Sequence, residues 1–365
     1  MSDQDAVRAI ALVCAGFACL LLVLYGYLLL RKWALNRRRG FMAAWTSRAS
    51  LPESPIERFV TQGENSRRLM PRRKWEWRTL EMYLTHRLRV GGTLAEQERI
   101  YRLAGDVYGP LYRNQLLDRR TRIRQHALAH IALFHMDRLQ PEVSAFLHRS
   151  RLQPEEWWGA LRALAAFQDK LAAEWLLGRH GKLPLSSEHR YRQVLMALGT
   201  ELLEELIEQF DEADKALQRN LIDVLRTRNI RTERCLALYE RLLLSPSDEL
   251  RVRALKAAAN FGYLSQGAED ALLARYVDWR GYPWPERLMA ARLMGEVRNA
   301  GYRSLLEQMI GDEAYAVRIE AAQAIGRYPQ GGTHLARIAG QHPDRYAREA
   351  AGEMLERRSY ERNVE

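Results

Sequence analysis

From about residue 115 to the C-terminus the chain repeats one arrangement of apolar and polar positions. In register, the segments read IRQHALAHIALF from Ile123, EWWGALRALAAF from Glu156, YRQVLMALGTEL from Tyr191 and LQRNLIDVLRTR from Leu217. They continue with LRVRALKAAANF from Leu250, ERLMAARLMGEV from Glu286, VRIEAAQAIGRY from Val317 and AREAAGEMLERR from Ala347. Small or apolar residues recur at the fifth, sixth, eighth and ninth positions, which share one face of a helix. The starts are separated by 33, 35, 26, 33, 36, 31 and 30 residues. The intervals hold second amphipathic helices, such as TELLEELIEQF (200–210) and GYRSLLEQMI (301–310), with turn residues SPSD, YPW and PQGG between them. A single helical hairpin cannot bury its apolar stripe, so the pattern predicts a stack of about eight hairpins sharing one continuous core.

Upstream the pattern changes. Residues 9–30 carry no charge. As a helix they span about 33 Å, against a hydrocarbon core of about 30 Å. The preceding MSDQDAVR is acidic rather than basic, and Arg31 and Lys32 follow the run in place of a small-residue cleavage site. These features predict a transmembrane helix rather than a cleaved signal peptide. Residues 31–74 read as a basic juxtamembrane linker. Residues 75–114 read as a membrane-proximal helical cap, whose first part, WEWRTLEMYLTHRLR, either lies on the membrane or caps the array. Thr93 and Glu96 have the spacing of a capping box that opens a helix.

Charge placement supports that division. The 365 residues carry a formal net charge of +11, but residues 31–124 hold 22 Arg or Lys against 9 acids and residues 125–365 hold 33 against 34. The excess lies beside the apolar run. By the positive-inside rule the N-terminus, residues 1–8, faces out and the repeats face the cytoplasm of a bacterial inner membrane. Arg31, Lys32, Trp33, Arg37, Arg38 and Arg39 form the expected membrane-interface collar, attracting anionic lipid. Three cysteines, two of them in the apolar run, make no disulfide framework.

The segment VRIEAAQAIG (317–326), with LRVRALKAAANFG and IRQHALAHIALF, resembles the second helix of HEAT repeats, particularly those of the phycobilisome-lyase HEAT-like type, written V-R-x-x-A-a-x-A-L-G. The resemblance covers about residues 115–360. It implies an all-α solenoid and a ladder in which the second-position Arg joins an acidic turn residue, here Arg318 with Asp312 and Arg251 with Asp248. It also implies a scaffold, of the kind found as an accessory subunit beside membrane glycosyltransferases of polysaccharide assembly or signalling proteins. Some HEAT-like proteins are lyases or glycosylases, and others bind nucleic acid; these are the two alternative readings.

Catalytic chemistry finds little support. No phosphate-binding glycine loop, nucleophile elbow or matched acid and base stands out. His126 and His130 share a helical face, yet the residues between them are ALA, without the Glu of a zinc protease, and no Cys or carboxylate lies at a matching offset. No metal, cofactor or small-molecule substrate is expected, and the near-neutral array argues against nucleic acid. Adjacent Trp157 and Trp158, and Trp279, Tyr282 and Trp284 in the loop WRGYPWP, are the candidate partner-binding residues, because exposed Trp and Tyr concentrate binding energy. The whole reads as an all-α protein with an N-terminal transmembrane helix and a HEAT-like solenoid, a non-catalytic scaffold for membrane-associated protein partners.

Overall fold

The computed structural model describes residues 3–66, 69–149, 151–181 and 188–364, with side chains over only part of the first helix and none for Lys74 or 361–364. It divides into two compact units, Met1–Leu139 and Gln140–Glu365. Nineteen α-helices lie among the described residues, and no strand.

The first unit holds α1 (Asp3–Ala49), α2 (Pro55–Gln62), α3 (Lys74–Val90), α4 (Leu94–Gln115) and α5 (Thr121–Leu133). The linker expected from residue 31 begins within a helix: α1 runs unbroken through the basic residues. Lys and Arg are good helix formers, and no proline intervenes until Pro52, so nothing stops the helix earlier. The expected inner-membrane localisation is corrected as well. Among the described residues no helix is long and apolar enough to cross a membrane. Part of the run behind that expectation, the side chains of 9–15 and Ala18, lies outside the described residues. Arg31, Lys32, Trp33 and Arg37 are exposed, while Arg38 and Arg39 also fall outside the described side chains. With the span go the lipid contact and the orientation assigned to that collar.

Local signals set the rest of this unit. Ser54 accepts a hydrogen bond from the Glu57 amide at 3.1 Å to open α2, and Gly63 closes it at φ 80°. The capping box opening α4 forms, with Thr93 accepting from the Glu96 amide at 3.3 Å and Glu96 accepting from the Thr93 amide at 3.0 Å. The aromatic helix α3 turns Leu80, Tyr83 and Leu84 inward and docks on α4, where Tyr108 donates to the Trp77 carbonyl at 2.6 Å.

The second unit is a two-layer stack. One layer holds α7 (Pro154–Ala166), α9 (Glu188–Ala197), α11 (Lys215–Thr227), α13 (Asp248–Phe261), α15 (Trp284–Val297), α17 (Tyr315–Gly326) and α19 (Arg345–Val364), each packed on the next. The other holds α6 (Gln140–Leu147), α8 (Lys170–Leu176), α10 (Thr200–Glu208), α12 (Glu233–Leu242), α14 (Gln266–Arg275), α16 (Tyr302–Met309) and α18 (Gly331–Gln341). Seven of the eight repeated segments fall in the first layer; the eighth, from Ile123, is α5 of the other unit. Its small residues let neighbours close up: Ala254, Ala257, Ala290, Ala321 and Ala324 are fully or almost fully buried. Between α15 and α17 the approach is closest, since a Cβ on Gly295 would stand 2.6 Å from that of Ala324.

Ion pairs repeat with the stack. Arg234–Glu204, Arg241–Asp211, Arg253–Asp223 and Arg337–Glu307 each join residues 30 apart. The three whose arginines are half exposed, all but Arg253–Asp223, contribute roughly 0–1 kcal/mol each, so they set register more than stability.

Candidate protein-binding surface

The second-position arginines show what the repeat uses for itself. Arg124, Arg251, Arg287, Arg318 and Arg348 each donate through Nη1 to a carbonyl in the turn before their helix, at 2.6–2.8 Å: Asp118, Ser245, Tyr282, Asp312 and His342. Four of the five, all but Tyr282, lie within three residues of the C-terminal end of the preceding α-helix, where unpaired oxygens and the negative end of the helix dipole favour a cation.

The expected acid ladder is present but differently paired. Asp248 does meet Arg251, at 2.5 Å. Asp312, by contrast, turns its carboxylate away from Arg318 and takes both ends of Arg287, from the preceding repeat, at 2.7 and 2.8 Å. Arg251 reaches forward in the same way to Glu286, which is wholly buried and also accepts from the Tyr276 hydroxyl at 3.0 Å. The Glu286 bond raises the Arg251 guanidinium further above its already high range, outweighing the opposing effect of burial. These groups are structural.

Most of the aromatic patch expected to be exposed is buried. Trp157, Trp158 and Trp279 are 6%, 4% and 2% exposed. The adjacent tryptophans serve two neighbours. Trp157 meets Trp175 of α8 edge-on at 5.4 Å, and Trp158 meets Tyr191 of α9 at 5.0 Å. Trp279 lies beneath the guanidinium of Arg280 at 4.4 Å, and half-buried Tyr282 beneath that of Arg275 at 4.7 Å. The loop WRGYPWP is thus packed around the Glu286 and Arg287 pairs. Trp284 alone of the five is exposed, at 51%.

The open surface lies beside it. Four consecutive helices of the first layer contribute to a groove of about 590 Å³: Arg192 from α9, Arg226 from α11, Val252 and Lys256 from α13, and Pro285 at the start of α15. Pro283 and Pro285, which flank Trp284, form one wall. The acids within it are already answered. Asp223 pairs with Arg253, Glu249 with Arg219 and Arg253, and Asp248 and Glu286 with Arg251. Arg192, Arg226 and Lys256 have no ion-pair partner among the described residues. Arg192 is also the second-position arginine that departs from the carbonyl-capping rule, being exposed instead. It holds the same position in its segment, YRQVLMALGTEL, as they do in theirs.

Two solved structures are similar to this chain at low identity. A crystal structure of an engineered protein matches at 15% identity over 79% of this chain and 86% of that one, with a TM-score of 0.37. The crystal structure of Kap121p bound to Pho4p matches at 9% identity over 85% of this chain and 40% of that one, so this chain spans less than half its length, with a TM-score of 0.48. No curated protein sequence matches. Residues 280–356, the stretch from the packed loop through most of α19 that includes the Gly295–Ala324 approach, match the family of HEAT repeats.

Proposed function

We propose that this protein is a non-catalytic scaffold and that the groove across α9, α11, α13 and α15 receives an acidic segment of a protein partner. The observation that carries the reading is the unbalanced charge: three cations, one from each of three successive repeats, beside acids that are already neutralised. Stacked helices at fixed spacing hold those cations in a row, which matches an extended acidic segment better than a single small anion. Trp284, exposed between two groove-lining prolines, supplies an apolar anchor of the type that dominates binding energy. HEAT repeats in residues 280–356 favour a role in protein interaction over one in catalysis.

The test is crosslinking and affinity purification of full-length protein against a variant with Arg192, Arg226 and Lys256 each changed to Glu. The expected result is a reproducible partner with the parent that is lost with the variant, and whose binding weakens with salt. Recovery of the same partners by both proteins, or binding of nucleic acid in their place, defeats the proposal.

A further inference from the structure

His126 and His130 stand one turn apart on α5 with their rings stacked, centroids 4.2 Å apart. The carboxylate that their own neighbourhood lacks comes from α3. Glu81 Oε2 lies 3.7 Å from His126 Nε2, and Oε1 lies 4.0 Å from His130 Nε2. The three ligand atoms fall within 4.8 Å of one another. These separations are too long for hydrogen bonds. The two Glu81–His separations exceed by less than about 1 Å the roughly 3.3 Å edges of a tetrahedron built on bonds of about 2.0–2.1 Å. Side-chain rotations alone close such a gap.

The surrounding bonds orient all three groups. His130 Nδ1 lies 3.0 Å from the His126 carbonyl, an acceptor only, so that nitrogen carries the proton and the neutral ring leaves its Nε2 lone pair free. Fully buried Tyr112 donates its hydroxyl to Glu81 Oε1, fixing the carboxylate from behind. Imidazole and carboxylate ligands held by a further layer of hydrogen bonds are how proteins preorganise metal sites. A cleft of about 420 Å³ opens beside the three groups, lined also by His86, Arg78 and Arg89. It leaves room for a fourth ligand, and the two guanidiniums favour an anionic one.

We infer that Glu81, His126 and His130 form a binding site for a divalent transition-metal ion of the zinc class. Two imidazoles with one carboxylate suit that class and not magnesium or calcium, which take oxygen ligands. The ion ties α3 to α5 within the first unit and leaves one coordination position facing the cleft. The site shares no residue with the groove of the second unit, so either can fail without the other.

The experiment uses untagged full-length protein freed of metal, titrated with zinc in competition with a chromogenic chelator. The expected result is one equivalent bound, at least about tenfold more weakly after His126→Ala or Glu81→Gln. Tyr112→Phe keeps every ligand and should weaken binding by about tenfold through orientation alone. Cobalt in place of zinc should give the intense visible absorption of a four-coordinate site. His126 is exposed, so its replacement leaves the helix intact, and circular dichroism checks this. Absence of stoichiometric binding overturns the inference, as does an affinity untouched by His126→Ala.

Discussion

Arg251 and Glu286 meet across a repeat boundary as a buried, two-pronged pair, Nε to Oε1 at 3.0 Å and Nη2 to Oε2 at 2.8 Å. Removing Glu286 leaves the buried Arg251 guanidinium with exposed Asp248 as its remaining carboxylate partner among the described residues. Glu286→Ala should therefore cost about 3–5 kcal/mol in urea unfolding. The double variant Arg251→Met with Glu286→Leu, which removes both charges and keeps volume, should recover most of that loss. A double variant as unstable as the single one would show that the damage comes from packing and not from the weakened pairing of a buried charge.

The tryptophans divide by burial rather than by position. Trp157→Ala should destabilise the second unit by about 3–5 kcal/mol, because it opens a cavity between α7 and α8. Trp284→Ala should change stability by no more than about 0.5 kcal/mol while weakening partner capture. Denaturation followed by circular dichroism reads the first effect without relying on the fluorophore that was removed.

Gly295 faces the Cα of Ala324 so closely that an added methyl would sit 2.8 Å from backbone. Gly295→Ala improves intrinsic helix propensity, which on its own would stabilise α15. Overpacking should win, with a loss of about 1–3 kcal/mol and a lowered melting temperature. A gain in melting temperature would show that α17 can move aside freely.

Glu320 titrates in the opposite sense from a paired surface acid. Burial raises its carboxyl above the ordinary range, and Arg327 and Arg292 oppose that only in part. A carboxyl whose folded pKa is raised adds stability in acid, and the addition is lost as pH climbs through the folded value. Glu320→Gln should match the parent in melting temperature near about pH 4 and surpass it near about pH 7.5. A variant less stable at the higher pH would mean that the 3.7 Å contact with Arg327 dominates.

The repeat was legible because its signal is periodic: the same apolar positions return in every segment, and each quoted segment begins on one helix of the structure, those in the second unit sharing a single layer, although the segment from Tyr191 runs past the end of α9 into α10. Non-local relationships were not. Glu81 lies 45 residues before His126, on a helix whose own pattern marks it only as polar. Asp312 looks like a partner for Arg318 by separation, yet its carboxylate serves Arg287, one repeat earlier. Trp157 and Trp158 look exposed if one helix face is the whole core; they are buried because two different helices receive them. The span expected at residues 9–30 rested on apolar length and flanking charge, and neither says where a helix of charged residues will stop.

The cross-repeat pairs of the second unit reach no farther than one repeat in either direction, with 30 residues between partners in Arg234–Glu204, Arg253–Asp223 and Arg337–Glu307. Among the described residues no such tie spans two boundaries at once. Under tension applied to its ends, the stack would behave as a series of separate latches rather than as one block. Each latch releases about 30 residues of slack before the next bears load, so force is met by stepwise lengthening and the repeats still closed keep their shape.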